Sequence, residues 1–155
     1  MPAPQGYSTR TIGKFVGHDF GASAPIAVDQ THIDTFADVT GDHQWIHVDV
    51  VRAKAESPFG GPVAHGCLTL SLLAAEVGTS GIVPADAKGV INYGLDSVRF
   101  IAPVLAGSQV TASFKLAAVE DKGTKGQLLR IAAALNVEGS DKPAIIGDVL
   151  VLIIG

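Results

Sequence analysis

Apolar residues recur at three- and four-residue intervals in one segment of the first half of the chain. At this spacing, Ile33, Phe36 and Ala37 would lie on the same face of a helix. The preceding residues 29–31 offer side-chain oxygens that accept hydrogen bonds from the first free N–H groups of a helix. Gly41 follows the stripe, at a position where glycine commonly ends a helix. The pattern predicts an amphipathic helix between these two signals.

Residues 66–77 are strongly apolar, with leucines and small residues throughout. A helix that is apolar all round is buried on nearly every side. A strand with a period of two residues is the alternative interpretation, but the length and the small residues favour a helix. Before this segment, residues 48–56 predict a modest helix, and the Gly- and Pro-rich residues 57–62 predict a loop. We therefore expect one central buried helix.

The second half of the chain predicts strands only. It contains four long segments enriched in β-branched residues, separated by short groups rich in Gly, Asp and Ser. Apolar and polar residues alternate in part along them, as in a sheet covered on one face. We expect these four to form an antiparallel meander, and an earlier apolar run to add a further strand. The four segments are residues 90–100, 110–119, 128–137 and 144–154, and the earlier run is residues 23–28.

The order of these elements predicts an α+β fold in a single domain, residues 1–155, with a long sheet folded around one buried helix. The opening residues are rich in Gly, Pro and Ser and show no periodicity. We expect residues 1–22 to form a flexible N-terminal arm, with a short strand or turn around residues 14–16.

Composition narrows the classes of function. Hydrophobic residues make up 47% of the chain and charged residues 17%, which suggests that another subunit covers part of the surface. The net charge is −4 and no run of Lys or Arg is present, so we expect no nucleic-acid partner. The single cysteine excludes an internal disulfide and a cysteine-based metal cluster. Because neither a signal-peptide core nor a membrane-length apolar stretch is present, we expect a cytoplasmic protein without a membrane span.

Two segments contain polar residues and glycines that the core pattern does not require, residues 40–47 and 58–66. In the first, Asp42 and His47 lie five residues apart in a predicted turn. A carboxylate and an imidazole on one tight loop can both face a single water molecule, and histidine changes charge near neutral pH. The alternative is that Asp42 caps the following turn and His47 is an ordinary loop residue.

Gly66 lies where the buried helix is predicted to begin. A backbone N–H at the start of a helix favours negative charge, so the Gly66 amide could stabilise a developing oxyanion. The alternative is that Gly66 only allows the loop to enter the helix. Cys67, the next residue, has no predicted base beside it, so we expect a small packed side chain rather than a nucleophile.

These two segments resemble motifs of the MaoC-like, (R)-specific enoyl-CoA hydratase family, and in particular its single-domain NodN-like branch. Residues 41–47 read Gly-Asp-His-Gln-Trp-Ile-His, where the family has Gly-Asp-x-Asn-Pro-hydrophobic-His. Residues 59–66 read Phe-Gly-Gly-Pro-Val-Ala-His-Gly, similar to the family's Phe-Gly-x-x-Ile-Ala-His-Gly. Residues 92–104 are similar to a strand of the NodN-like branch. The resemblance covers about residues 25–155.

The resemblance implies a hot-dog fold, in which the sheet wraps around the long helix and pairs across a homodimer. It implies that Asp42 and His47 are the catalytic acid–base pair and that the Gly66 amide binds the thioester oxygen. Gln44 and His65 are further candidates for substrate binding. The substrate would be a trans-2-enoyl-CoA thioester, with no metal and no cofactor. Gln44 and its neighbour Trp45 replace the family's Asn-Pro, and we expect this to alter the packing of the loop rather than to abolish activity.

Two other functions remain open. The same fold supports thioester hydrolysis, since fold alone does not decide function. A thioesterase would usually place a carboxylate on the central helix, where the only acid is Glu76, near its far end. The chain could also bind acyl thioesters without catalysis, although binding alone needs no acid–base pair.

Overall fold

The computed structural model describes residues 2–155. Its first half is mainly helical and its second half consists of long strands, as the order of elements predicts. The helices are α1 Gln30–Thr40, α2 Trp45–Val48, α3 Val50–Glu56 and α4 Gly66–Ala75, with 3-10 turns at Ile12–Phe15 and Gly123–Lys125. The strands are β1 Asp19–Ala22, β2 Ile26–Val28, β3 Gly89–Phe100, β4 Ser108–Asp121, β5 Gln127–Val137 and β6 Pro143–Ile154.

The six strands form one antiparallel sheet in the order β1-β4-β5-β6-β3, and β2 also pairs with β4. One face of the sheet is buried, because alternate side chains of β4 and β5, such as Phe114 and Ile131, point into the core. Helix α4 packs against β5 and β6, and Leu68 and Leu73 are among its buried residues. The predicted α+β fold, a hot-dog fold with the sheet around a central helix, is confirmed.

The prediction that residues 90–100 begin the meander is wrong. Strands β4, β5 and β6 do form a meander, but β3 pairs with β6, with Gly89 opposite Ile154 and Phe100 opposite Ile145. The connection between β3 and β4 is not a hairpin, because it pairs with the loop before α4 instead. The Ala64 amide donates to the carbonyl oxygen of Val104 at 2.8 Å. Local periodicity predicts strands but does not determine which strands pair.

The structure also corrects the prediction of a flexible arm at residues 1–22, within the described part that starts at residue 2. Ile12 and Phe20 are buried, and β1 pairs with β4. The Tyr7 hydroxyl donates to the carbonyl oxygen of Ile82 at 2.5 Å. The strand or turn expected around residues 14–16 is part of the 3-10 turn that begins at Ile12. Sparse aromatic and apolar side chains anchor this segment, and they are too irregularly spaced to give a periodic signal.

Capping interactions fix the helices that carry the candidate residues. The Asp29 carboxylate accepts from the His32 amide at 2.9 Å at the start of α1, and Gly41 ends this helix with a φ of 77°. Residues 45–47, which we expected to lie in a turn, belong to the short helix α2. The predicted helix at residues 48–56 begins slightly later, at Val50, where the Asp49 carboxylate accepts from the Arg52 amide at 3.0 Å.

Strand β3 lies at the edge of the sheet and exposes large apolar side chains. Val90, Ile91 and Leu95 are each 48% exposed and Tyr93 is 57% exposed. In the described chain, the outer edge of β3 pairs with no other strand. An apolar edge strand of this length is a surface that other strands can join. Within residues 2–155, no helix has the length and apolar composition needed to cross a bilayer.

Near its end, β3 is interrupted by a bulge. The pairing with β6 shifts between Asp96 and Arg99, and Ser97 in this interval has a φ of 52°. The opposing strand accommodates the bulge with Gly147, where a Cβ would lie 2.9 Å from the Cα of Val98. The bulge precedes Phe100, the last residue of β3, by only three positions.

Candidate active site

Three separate chain segments meet at the start of α4. Asp42 follows the glycine that ends α1, His47 lies on α2, and His65 and Gly66 form the entry to α4. Together they border a cavity of about 220 Å³. Its lining residues are Phe36, Thr40, Asp42, His47, His65, Gly66 and Cys67. The structure therefore brings together four of the five residues that the sequence singles out.

The His47 imidazole is buried and fixed by a main-chain carbonyl. Its Nδ1 lies 2.6 Å from the carbonyl oxygen of Val63, and the residue is 7% exposed. Because a carbonyl oxygen only accepts, this contact assigns the hydrogen to Nδ1 and leaves a lone pair on Nε2. The Gln30 side-chain amide donates to the carbonyl oxygen of His47 at 2.8 Å, which ties α2 to the start of α1. His47 is thus fixed through both its side chain and its main chain.

The His65 imidazole lies deeper and is fixed in the same way. Its Nε2 is 2.9 Å from the main-chain oxygen of Asp42, so this nitrogen carries the hydrogen. Its Nδ1 is buried and has no hydrogen-bond partner in residues 2–155, as expected for a lone pair facing no donor. The ring stacks on His47 with centroids 3.8 Å apart and also contacts Phe36 at 5.0 Å. His65 therefore links the Asp42 loop to the His47 ring.

Asp42 is exposed at the mouth of this cavity. Its amide donates to the Thr40 hydroxyl at 3.3 Å, and its Oδ1 accepts a long hydrogen bond of 3.4 Å from the Gln44 amide. Side-chain atoms of Asp42, His47 and His65 all lie within 4.8 Å of one another. A carboxylate and an imidazole with a free lone pair thus face one small volume.

This cluster contains residue types that bind metal ions. However, the His47 and His65 rings stack with an interplanar angle of 26°. Nearly parallel stacked rings direct their in-plane lone pairs along neighbouring planes, whereas ligands of one ion must converge on a point. Stacked rings of this kind do not direct both lone pairs at one point between them.

Gly66 begins α4 without a capping side chain. Its amide donates to no acceptor among residues 2–155, so it is one of the free N–H groups at a helix start. A Cβ at this position would lie 3.0 Å from the nearest ring carbon of Phe100. Glycine thus allows the Phe100 ring to lie directly against the main chain here.

A second cavity, of about 290 Å³, also borders Gly66. Its lining is mostly apolar, and Gly66 is the only residue that it shares with the first cavity. Its lining residues are Ile46, Phe59, Val63, Ala64, Gly66, Thr69, Phe100, Ile101, Ala102, Pro103 and Val104.

Two candidates lie differently from the sequence-based expectation. Gln44 is exposed and does not border the cavity of Asp42 and His47. Cys67 borders this cavity and is exposed, so the expectation of a packed side chain is wrong. Its position in the first turn of α4 turns it toward the site rather than the core.

Sequence reasoning missed Gln30, Phe36 and Thr40. Phe36 was predicted only as part of the apolar face of α1, and nothing in the local sequence of Gln30 indicates its bond to His47.

The pKa of one histidine near the site, His43, is shifted. The hydrogen bond to Asp38, at 3.0 Å, raises the pKa of His43, which lies outside the cavity.

Comparison with known proteins finds relatives over most of the chain. The family model described as the MaoC like domain matches residues 12–134. Nodulation protein N of Rhizobium leguminosarum bv. viciae is 43% identical over 89% of this chain and 86% of its own length. The 3-hydroxyacyl-thioester dehydratase Z of Mycobacterium tuberculosis is 42% identical over 93% of this chain and 94% of its own length.

The fold has a close match among solved structures. The X-ray structure of a monoamine oxidase regulatory protein from Archaeoglobus fulgius covers 100% of this chain and 99% of its own, with a TM-score of 0.80 and 25% identity. The family model and both relatives extend over most of the chain, including the segments that form the site. The chain therefore belongs to the family of MaoC-like dehydratases.

Proposed function

We propose that this chain catalyses the reversible addition of water to trans-2-enoyl thioesters, giving 3-hydroxyacyl thioesters. One observation carries the proposal: Asp42, His47 and the free amide of Gly66 border a single cavity. The relative named 3-hydroxyacyl-thioester dehydratase supports the reaction class. Acyl-CoA is the proposed substrate, and the (R) configuration of the product rests on the family resemblance.

The acid–base roles follow from the hydrogen bonds of the site. The Nδ1 hydrogen of His47 is directed at Val63, so the Nε2 lone pair is available to accept a proton from water. As the water oxygen bonds to C3, the electron pair of the double bond moves toward the thioester oxygen. The carboxyl group of Asp42 orients the water, and the Asp42–His47 pair returns a proton to C2. The thioester itself acidifies the C2–H bond, so the proposal needs no metal or redox cofactor.

The Gly66 amide is the proposed oxyanion donor. It has no acceptor within the described residues, and it lies at the start of α4, where the helix dipole favours negative charge. The thioester oxygen would receive this hydrogen bond as enolate character develops. Loss of one such donor costs about 3–4 kcal/mol of transition-state stabilisation in other enzymes.

His65 and Gln44 have different proposed roles from the two catalytic side chains. His65 donates its only N–H to the Asp42 carbonyl oxygen, so we assign it to positioning rather than to a direct bond with substrate. Gln44 is exposed outside the cavity, and we assign it to the conformation of the loop. Substrate binding then depends mainly on Gly66 and the cavity walls.

We also propose that the functional unit is a homodimer joined through β3. The support is the exposed apolar edge of this strand, including Ile91 and Tyr93. A second copy of the same edge, paired antiparallel by two-fold symmetry, would cover these side chains and satisfy the free main-chain groups.

The two rival functions are less well supported by the contacts of the site. A thioesterase mechanism would use a carboxylate on the central helix, yet Glu76 caps the end of α4 opposite to Gly66. Its carboxylate accepts from the Thr79 hydroxyl at 2.6 Å. A binding module would require neither a buried histidine with an oriented lone pair nor a carboxylate beside it.

Incubation of the purified chain with crotonyl-CoA tests the proposal. Loss of the absorbance of the conjugated double bond without release of free thiol is the expected result. Release of thiol would instead demonstrate hydrolysis, and calorimetric binding without either reaction would demonstrate a binding module. Chiral analysis of the 3-hydroxybutyryl product determines the configuration at C3.

A further inference from the structure

Helix α2, which carries His47, is too short to be stable by itself. It has four residues, Trp45–Val48, and a single helical turn needs contacts with the rest of the fold. The position of the His47 ring in the cavity therefore depends on bonds from other segments. The loop before α4 supplies two of them: the Val63 amide donates to the carbonyl oxygen of Ile46 at 3.0 Å, and the Val63 oxygen accepts from His47.

A separate bond comes from Gln30, the first residue of α1. Its side-chain Nε2 donates to the carbonyl oxygen of His47 at 2.8 Å and to Oδ1 of Asp34 at 2.8 Å. A carbonyl and a carboxylate can only accept, so both N–H groups of the amide are directed at these oxygens and its orientation is fixed. Gln30 thus connects the main chain of His47 to the start of a longer helix.

The oxygen of the Gln30 amide weakens the case for a purely stabilising role. This Oε1 atom is buried and has no hydrogen-bond partner in the part of the chain that the structure describes. A buried acceptor without a donor destabilises a fold, so it offsets part of what the two hydrogen bonds contribute. A role in stability alone therefore explains this residue less well than a role in holding a reacting group in place.

We propose that Gln30 is a positioning residue, which holds the main chain of His47 so that the Nε2 lone pair faces the reacting water. Val63 fixes the ring through its Nδ1–H, and Gln30 fixes the peptide from which the ring extends. Gln30 does not border the cavity of Asp42 and His47, so it acts through His47 rather than on the substrate. The inference rests on the proposed function, because the direction of this lone pair matters only if His47 accepts a proton.

Gln30→Met tests the role, because methionine has a similar length and helix propensity but donates no hydrogen bond. We expect kcat for crotonyl-CoA to fall roughly tenfold with little change in KM, since a displaced catalytic group slows the reaction more than it weakens binding. Gln30→Glu has the same shape as the wild-type side chain and also lacks the donor, so its loss should be at least as large. If one of the two variants does not fold, the other still gives the comparison.

Two control variants separate this bond from other effects. Asp34→Asn keeps an oxygen that accepts from Gln30 and leaves the bond to His47 in place, so kcat should stay near the wild-type value. Gln5→Met makes the same exchange at an exposed glutamine and should leave both kcat and KM unchanged.

The tautomer of His47 gives a readout that a loss of stability alone would not change. Histidine-selective NMR of the ring nitrogens distinguishes a nitrogen that carries a hydrogen from one that does not, and the signals of His47 are identified by their absence in His47→Gln. We expect the wild-type ring to be mainly the Nδ1–H form. Gln30→Met should have a larger share of the Nε2–H form, because the ring moves away from the Val63 oxygen.

The kinetic and NMR results together decide the proposal. Wild-type kcat in both Gln30 variants would overturn it. A fall in kcat with an unchanged His47 tautomer would also overturn it, because the loss would then arise from stability or from another contact.

The NMR measurement needs no turnover, so it separates this inference from the proposed function. A tautomer change in Gln30→Met, together with an inactive wild-type chain, would contradict the hydratase assignment alone. An active chain in which Gln30→Met changes neither kcat nor the tautomer of His47 would contradict the role of Gln30 alone.

Discussion

The imidazole rings of His47 and His65 stack with centroids 3.8 Å apart and planes inclined by 26°. In the proposed mechanism the Nε2 lone pair of His47 accepts the proton, whereas His65 donates its N–H to the Asp42 carbonyl oxygen and its Nδ1 is buried without a partner among the described residues. The stack therefore joins a reacting ring to one that holds the neighbouring loop. Coupled contacts of this kind make the positions of Asp42 and His47 depend on each other.

His65→Phe tests this coupling, because phenylalanine keeps an aromatic ring but removes the donor to Asp42. We expect kcat to fall by about 10- to 100-fold with a smaller change in KM, since misplaced catalytic groups slow the reaction more than they weaken binding. The pH dependence of kcat/KM should also change, because the ring that faces His47 and the Asp42 loop is altered. His32→Phe is the control, as His32 is exposed on α1. Unchanged kcat and an unchanged pH profile would refute the positioning role.

Asp42→Asn and His47→Gln remove the two proposed acid–base groups. Each should lower kcat/KM for crotonyl-CoA by about 10²–10⁴-fold, the usual contribution of a general acid or base. Asp42→Asn should leave Tm nearly unchanged, because the side chain is exposed. Asp38→Asn removes an exposed carboxylate that bonds to His43 and should retain full activity. Turnover at the wild-type rate in either catalytic variant would overturn the assignment.

Gly66→Ala introduces a Cβ 3.0 Å from the Phe100 ring. We expect a lower Tm together with lower kcat/KM, because the ring or the helix start must shift by a few tenths of an ångström. Adding Phe100→Leu should restore part of the unfolding free energy. Gly13→Ala is the control, since a Cβ there has open space around it. Calorimetric unfolding of the single and double variants measures both effects, and additive losses would contradict a direct contact.

Ile91→Lys places a charge on the exposed edge of β3. We expect sedimentation velocity to show a dimer for the wild-type chain and a monomer for this variant, because the charge would be buried in the paired edge. Val39→Lys serves as the comparison, as Val39 is 81% exposed on α1. A wild-type monomer, or a variant that still dimerises, would exclude an interface through this part of β3.

Arg130 on β5 bonds to Asp96 on β3 at 2.8 Å and to Asp148 on β6 at 2.7 Å. The hydrogen bond from Arg130 lowers the pKa of Asp96. The stabilisation that this shift provides is therefore present above the unfolded-state pKa of about 4 and is lost as the pH falls through the lower folded-state value.

We accordingly expect Arg130→Met to have a lower Tm than the wild-type chain at pH 7, and the difference to shrink as the pH falls below about 4. Thermal unfolding followed across this range measures the effect. Lys54→Met, which removes an exposed lysine of α3, should give no such trend. A difference in Tm that is independent of pH would assign the loss to packing of the arginine side chain instead.

The sequence was sufficient to predict the helices and strands of most of the chain, because their periodicities are local. It also predicted that residues 42, 47 and 66 belong together, through the two motifs. It did not predict that β3 pairs with β6, since strand partners depend on contacts between residues far apart in the chain. For the same reason, the bond from Gln30 to His47 and the contact of Phe100 with Gly66 appear only in the folded chain.

Both imidazoles at the centre of the site are anchored to peptide oxygens, those of Val63 and Asp42. A peptide oxygen is present whatever side chain its residue carries. An exchange of the side chain at position 63 or at position 42 therefore leaves the acceptor of the neighbouring imidazole in place. Side chains around the two imidazoles can thus change without removing the hydrogen bonds that orient the rings.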